Sequence, residues 1–188
     1  SKKMKISEEF VLPMYEGQSI LNVTSSICKL LDIPPMQSPP LLDEILSPLG
    51  EDIENVIFIL VDAMAYHRLI KWMEEDKSLV WNKLSESGIL APITSISPST
   101  TAAATTTFWT GSSPSQHGIA GYEMWLKEYS LSANMILHRP ITYNGGSGNM
   151  EMAGFSPESF ISVPRLGTHL KKYGVEAHAF QHYSIANS

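Results

Sequence analysis

The chain has one cysteine, Cys28, so an internal disulfide is excluded, and this sparing use of cysteine fits a reducing compartment. Blocks of lysine or arginine are absent. With 13 Lys and Arg against 19 Asp and Glu, the net charge is −6, and the electrostatic footprint of a nucleic-acid binder is missing. No run reaches the roughly 18 to 20 apolar residues of a membrane span, and the opening "SKKMKISEEF" lacks the apolar h-region of a secretory leader. The expectation is a cytoplasmic protein, or a processed fragment, that uses neither nucleic acid nor membrane as a partner. "GGSGN" at Gly145 lacks the Gly-Lys-Ser/Thr ending of a phosphate-binding loop, and no Gly-x-Ser-x-Gly elbow supports a serine hydrolase.

What is present suffices for one core: 188 residues, 43% of them hydrophobic. Residues 1–50 hold an apolar stretch around Ile20 to Ile33 and then "IPPMQSPPLLDEILSPLG", whose five prolines stop any long helix. This part reads as a wrapping segment or linker. Regular alternation begins at Asn55. "NVIFILVDA" is a continuous apolar run rich in β-branched residues, the pattern of a strand buried on both faces. Tyr66, Leu69, Ile70 and Met73 then recur at helical spacing, and "SLVWNKLSESG" predicts a second helix closed by glycine. Strands are expected at "ILAPITSI", near "ANMILH" and at "VEAHAFQ", a Gly/Asn-rich loop at "TYNGGSGNM", and a helix at "VPRLGTHLKKYG". The fold class expected is α/β, a three-layer sandwich with a mostly parallel central sheet.

In open parallel sheets ligands collect at the carboxyl ends of strands, which directs attention to two places. Asp62 directly follows "VIFILV", where an ionised carboxylate needs a cation or several donors. It could equally cap the helix that starts near Met64. At the second place Pro98 and Ser99 turn the chain out of "PITSI", and Thr100 or Thr101 begins a helix through "AAATTTFWTG". A hydroxyl there sits where free N–H groups and the positive dipole end favour an anion, and where a threonine nucleophile would be activated. The alternative is a Ser/Thr N-cap on a close-packed core helix.

Taken in order, "NVIFILVDAM" and "PITSISPSTTAAATTTFWTGSSPSQHGIAGYEMW" resemble the type I phosphodiesterase/nucleotide pyrophosphatase branch of the alkaline phosphatase superfamily. The resemblance is good from Asn55 to Trp125 and looser to Ser188. It implies an alkaline-phosphatase-like fold, with residues 51–188 as the N-terminal portion of a catalytic domain that is incomplete in this chain. It also implies a hydrolase of phosphodiesters or pyrophosphates with a small phosphorylated substrate, possibly a nucleotide. Asp62 would bind one of two divalent metal ions, normally zinc. Thr101, at the family's distance from "TG", would be the nucleophile, touch a metal and form a covalent phospho-threonine. His117 falls in a motif like Pro-x-x-His-Gly-Ile and reads as structural.

The sequence also departs from the family. After Thr101 there is no aspartate, so the downstream Asp-x-x-x-His and Asp-His ligands are missing, and Ala104 stands where nucleotide pyrophosphatases usually carry a phosphate-contacting asparagine. His178 and His182 are four apart, but on a strand they would not form a helical metal pair. Cys28 lacks the Cys-x-Pro-x-Arg context of a sulfatase. Two alternatives remain: a non-catalytic anion-binding or regulatory domain, and a related phosphomutase or phosphonate hydrolase.

Overall fold

The computed structural model describes residues 11–146 and 148–181. His182 and the opening decapeptide lie outside the described residues.

Eight α-helices are assigned among the described residues: α1 (Val23–Leu30), α2 (Asp43–Leu46), α3 (Tyr66–Glu75), α4 (Val80–Ser87), α5 (Thr101–Thr110), α6 (Pro114–His117), α7 (Pro157–Phe160) and α8 (Leu166–Lys172). One small sheet joins them, in the order β1 (Glu123–Leu126), β2 (Leu131–Asn134) and β3 (Arg139–Pro140), antiparallel throughout. The helices expected after Asp62, after Ser78 and before Gly174 are all present. Helix and sheet together are consistent with the α/β class.

The parallel ladder expected at the centre differs. Residues 55–61 and 89–93 carry no strand assignment, 175–181 carry none either, and the isolated bridge Ser19↔Thr94 is the parallel pairing among the described residues. The physical reason is a lack of partners. A two-face-buried strand needs neighbours on both edges and helices on both faces, yet Ile57 is 88% exposed and Ile59 75% exposed. Phe58 alone of this run makes a ring contact, at 5.2 Å from Phe108 of α5.

Helix α5 is the structural centre. Ala102 joins a cluster with Ile119, Leu126, Ala133, Met135, Met150 and Phe155, whereas the next residue, Ala103, joins Leu21 and Ile96. Consecutive side chains point about 100° apart on a helix, so α5 is covered on more than one side. That explains its composition. A helix packed this way admits only small side chains if its neighbours are to approach closely, and its hydroxyls must find partners inside the structure. They do so locally. Thr105, Thr106 and Thr110 donate to the carbonyls of Thr101, Ala102 and Thr106 at 2.7–2.8 Å.

Residues 11–50 contribute to the same interior. Cys28 of α1 packs with Leu166 and Leu170 of α8, and burial raises its thiol pKa. Asn22 is fully buried and uses its whole amide: Nδ2–H groups donate to the carbonyls of Tyr15 and Pro39, and Oδ1 accepts from the N–H groups of Gly17 and Ser19. Thr24 of α1 donates to the Phe108 carbonyl near the end of α5 at 2.9 Å. A buried polar network of this kind leaves no apolar periodicity to read in a sequence.

Helix α5 ends at Gly111, in the left-handed region at φ 61°, where its N–H donates to the Thr107 carbonyl. A Cβ there would lie 3.3 Å from Met36 Cβ and 3.4 Å from Thr24 Cβ. Gly111→Ala is therefore expected to lower unfolding free energy by roughly 1–2 kcal/mol through backbone strain and crowding. Urea denaturation followed by circular dichroism measures it, and a neutral effect would contradict the packing described.

Candidate functional site

Local backbone chemistry decides which threonine of α5 does what. Thr100 is the N-cap, extended at φ −84° and ψ 153°, and its hydroxyl accepts from the Ala103 N–H at 3.4 Å. That role leaves Thr101, the first helical residue, with its own hydroxyl free to turn outward. Thr101 Oγ1–H donates to Asp62 Oδ2 at 3.0 Å, across 39 residues of sequence.

Asp62 does not cap the following helix. The N-cap of α3 is Ala65, with no side-chain cap, whereas Asp62 Oδ1 accepts from the N–H of Ala63 at 2.7 Å. The turn after it is strained, with Ala63 at φ 58° and Ala65 at φ 56°, in a region that alanine seldom occupies. Such strain is stored where surrounding structure holds a residue in place. Here it turns the chain sharply after Asp62, and the carboxylate reaches the start of α5.

Both residues line a cleft of about 280 Å³, with Ser95, Ser99 and Ala104 among its other walls. A larger groove, about 370 Å³, is lined by Lys29, Asp32 and prolines and contains neither residue. The chemistry favours the smaller one. Its hydroxyl, its carboxylate and the N-terminal end of α5 meet in one place. Sequence reasoning singled out Asp62 and Thr101 and missed Ser95, Ser99 and Ile20 of the cleft wall. Ile20 could not be found from pattern, because it arrives through the bridge that pairs Ser19 with Thr94.

The residue matching a His-Gly-Ile motif lies inside the structure. His117 is 1% exposed, and its Nδ1 accepts from the Ile119 N–H at 3.1 Å, so the ring proton sits on Nε2 and donates to Thr107 Oγ1 at 3.1 Å. This bond ties α6 to the middle of α5. Desolvation lowers the pKa of His117 to about 4, against the opposing pull of the Ala103 backbone. Among the described residues the other histidines do not line the cleft: His67 packs edge-on to Tyr66, His138 packs on Phe155, His169 contacts the Pro34 carbonyl, and His178 sits 3.2 Å from Glu176.

The profile of the type I phosphodiesterase / nucleotide pyrophosphatase family matches residues 56–179. The chain belongs to that family. The match begins just before the Asp62 segment and contains the whole of α5, so both sides of the site lie within it. Comparison with curated proteins and with solved structures gives no match. The family acts on small phosphorylated substrates such as nucleotides and is typically metal-dependent. Among the described residues no group of three His, Cys, Asp or Glu could hold an ion, so the residues present do not make up a metal cage. No helix among them is long and apolar enough to cross a membrane.

The buried histidine carries a pH signature. Above about pH 6.5 the ring is neutral in both folded and unfolded chains. As pH falls toward 4 the unfolded chain takes up a proton that the native ring refuses, so stability is lost by about 3 kcal/mol in total. Replacing His117 by Gln should flatten this slope between pH 6.5 and 4. Denaturation midpoints measured across that range check it, and parallel slopes for the two proteins would contradict it.

Proposed function

We propose that the chain carries the nucleophile side of a phosphodiester or pyrophosphate hydrolase, acting through a covalent phospho-threonine at Thr101. The observation that carries this reading is the 3.0 Å hydrogen bond from Thr101 Oγ1 to Asp62 at the N-terminal end of α5. In the reaction the Thr101 oxygen forms a bond to phosphorus, the phosphorus–oxygen bond of the ester breaks, and the hydroxyl proton passes to Asp62 Oδ2. The departing alkoxide takes its proton from water, and the hydroxide so formed recovers the proton held by Asp62. A second water then cleaves the phospho-threonine and regenerates the hydroxyl. The N–H groups of Thr101 and Ala102 have no carbonyl one turn back, and with the positive dipole end they favour negative charge at the phosphoryl oxygens.

In the family reading the site would hold two divalent cations, normally zinc, which when bound would supply Lewis-acid stabilisation of the phosphoryl charge. Asp62 and Thr101 would each lend an oxygen to that set, and the remaining donors would come from outside the described residues. The same reading puts residues 55–61 and 89–96 in a mostly parallel, alkaline-phosphatase-like sheet, in keeping with the exposed apolar side chains of Ile57, Ile59, Ile89 and Leu90. A second reading, a non-catalytic anion-binding domain, is favoured by the absence of a three-ligand group among the described residues.

Turnover of bis(p-nitrophenyl) phosphate separates the two. Thr101→Ala is expected to lower it by at least about 1,000-fold, because the hydroxyl that donates to Asp62 is then gone. Asp62→Asn should reduce turnover and bound metal while shifting stability by less than about 0.5 kcal/mol, as befits an exposed residue that caps nothing. Turnover retained in Thr101→Ala would end the nucleophile assignment. Phosphate binding with no turnover in any form would establish the anion-binding reading instead.

A further inference from the structure

Asp62 is carried by a turn that runs against the conformational preference of its own residues. Ala63 has φ 58°, and Ala65 has φ 56° with ψ 132°. A left-handed backbone costs an alanine roughly a factor of ten in population, because Cβ crowds the carbonyl oxygen that follows. Two such residues within three positions need a restraint from outside the turn. Helix α5 restrains only the Asp62 side chain, through the hydrogen bond from Thr101.

The backbone restraint comes from α3. Ala63 is held on both sides: its N–H donates to Asp62 Oδ1 at 2.7 Å, and its carbonyl accepts from Arg68 Nη1 at 3.3 Å. Arg68 lies in the first turn of α3 and reaches back along the chain to make this bond. One turn further on, Trp72 steadies the guanidinium, which lies 5.9 Å from the ring centroid. Arg68 is exposed and does not line the cleft, whereas Asp62 and Ala63 do. Its place therefore suits it to act on the cleft through the turn.

The φ angle of Ala63 sets the orientation of its two peptide groups relative to each other. Both hydrogen bonds cannot survive a return of that angle to negative values, so the bond from Arg68 opposes the relaxation that would release Asp62. We infer that Arg68 is a positioning residue, which keeps the left-handed turn at Ala63 in place and with it the Asp62 carboxylate at Thr101. Its effect on rate rests on the hydrolase reading above, and its effect on the turn rests on the geometry alone. The need for such a clamp comes from the alanine, since glycine takes positive φ about as readily as negative φ.

The test is a double-mutant cycle on the intact protein, made of Arg68→Gln, Ala63→Gly and the two together. Arg68→Lys serves as the conservative variant. Lys71→Gln removes a positive charge elsewhere on α3, from a residue paired only with exposed Glu75 at 3.6 Å. Turnover of bis(p-nitrophenyl) phosphate is one readout, and hydrogen exchange of the residue 63 amide by NMR is the other. Arg68→Gln should lower kcat about tenfold with KM unchanged, and should speed amide exchange at residue 63 by about the same factor. Lys71→Gln should match the wild type, and Arg68→Lys, which keeps a donor and a charge, should lie nearer the wild type than Arg68→Gln does. In the Ala63→Gly background, Arg68→Gln should change either quantity by no more than about twofold. An equal loss of kcat in both backgrounds, or a rise in KM, would mean that Arg68 meets the substrate itself and would overturn the positioning role. Amide exchange at residue 63 left unchanged by Arg68→Gln would overturn it whatever the kinetics. Wild-type turnover that is absent, or independent of Thr101, would remove the hydrolase reading, and the exchange cycle alone would then decide for or against the clamp.

Discussion

A helix buried on more than one side must be thin, and α5 meets that demand with alanine and threonine. Ala102 and Ala103 face different clusters of the core, and the threonine hydroxyls after Thr101 are satisfied within the helix or by His117. The arrangement fixes the helix axis, and with it the place where the N-terminal turn surfaces. Thr24 and Gly111 hold the other end, the first by a hydrogen bond to the Phe108 carbonyl and the second by a left-handed turn. What reaches the cleft is therefore set by packing at a distance from it.

The division of labour between two adjacent threonines follows from that geometry. Thr100 spends its hydroxyl on the cap, and Thr101 is left facing Asp62. The strained alanines after Asp62 are the counterpart on the other segment, since an unstrained turn would carry the carboxylate elsewhere. Neither residue is buried deeply, so the pair is open to a ligand.

The two segments that meet at the candidate site, around Asp62 and Thr101, were legible in the sequence. An aspartate ending an apolar run and a Ser/Thr-rich helix start are local patterns, and each kept its place. The rest was not, for reasons that are physical. The apolar run before Asp62 reads as a buried strand because periodicity reports what a segment could bury, but burial also needs partners, and none packs on Ile57 or Ile59 among the described residues. The segment around Asn22 reads as a wrapping piece, but its structure depends on buried amide and hydroxyl groups that tie Tyr15, Pro39 and Leu41 to α1. Polar groups of that kind look like surface in any hydropathy pattern. The antiparallel hairpin of β1 and β2 was half-visible, as a strand near Ala133, because its partner Glu123–Leu126 alternates too briefly to stand out.

The account turns on the oxygen of Thr101 becoming bonded to phosphorus. Acid quenching of the protein during turnover of an aryl phosphodiester, followed by peptide mass spectrometry, observes that bond directly. The account predicts a phosphorylated peptide containing Thr101, stable through the acid quench and in neutral buffer as an alkyl phosphate ester is, and absent from Thr101→Ala. Phosphate found on Thr100 or Ser99 instead, or turnover with no phosphopeptide at any quench time, would contradict it.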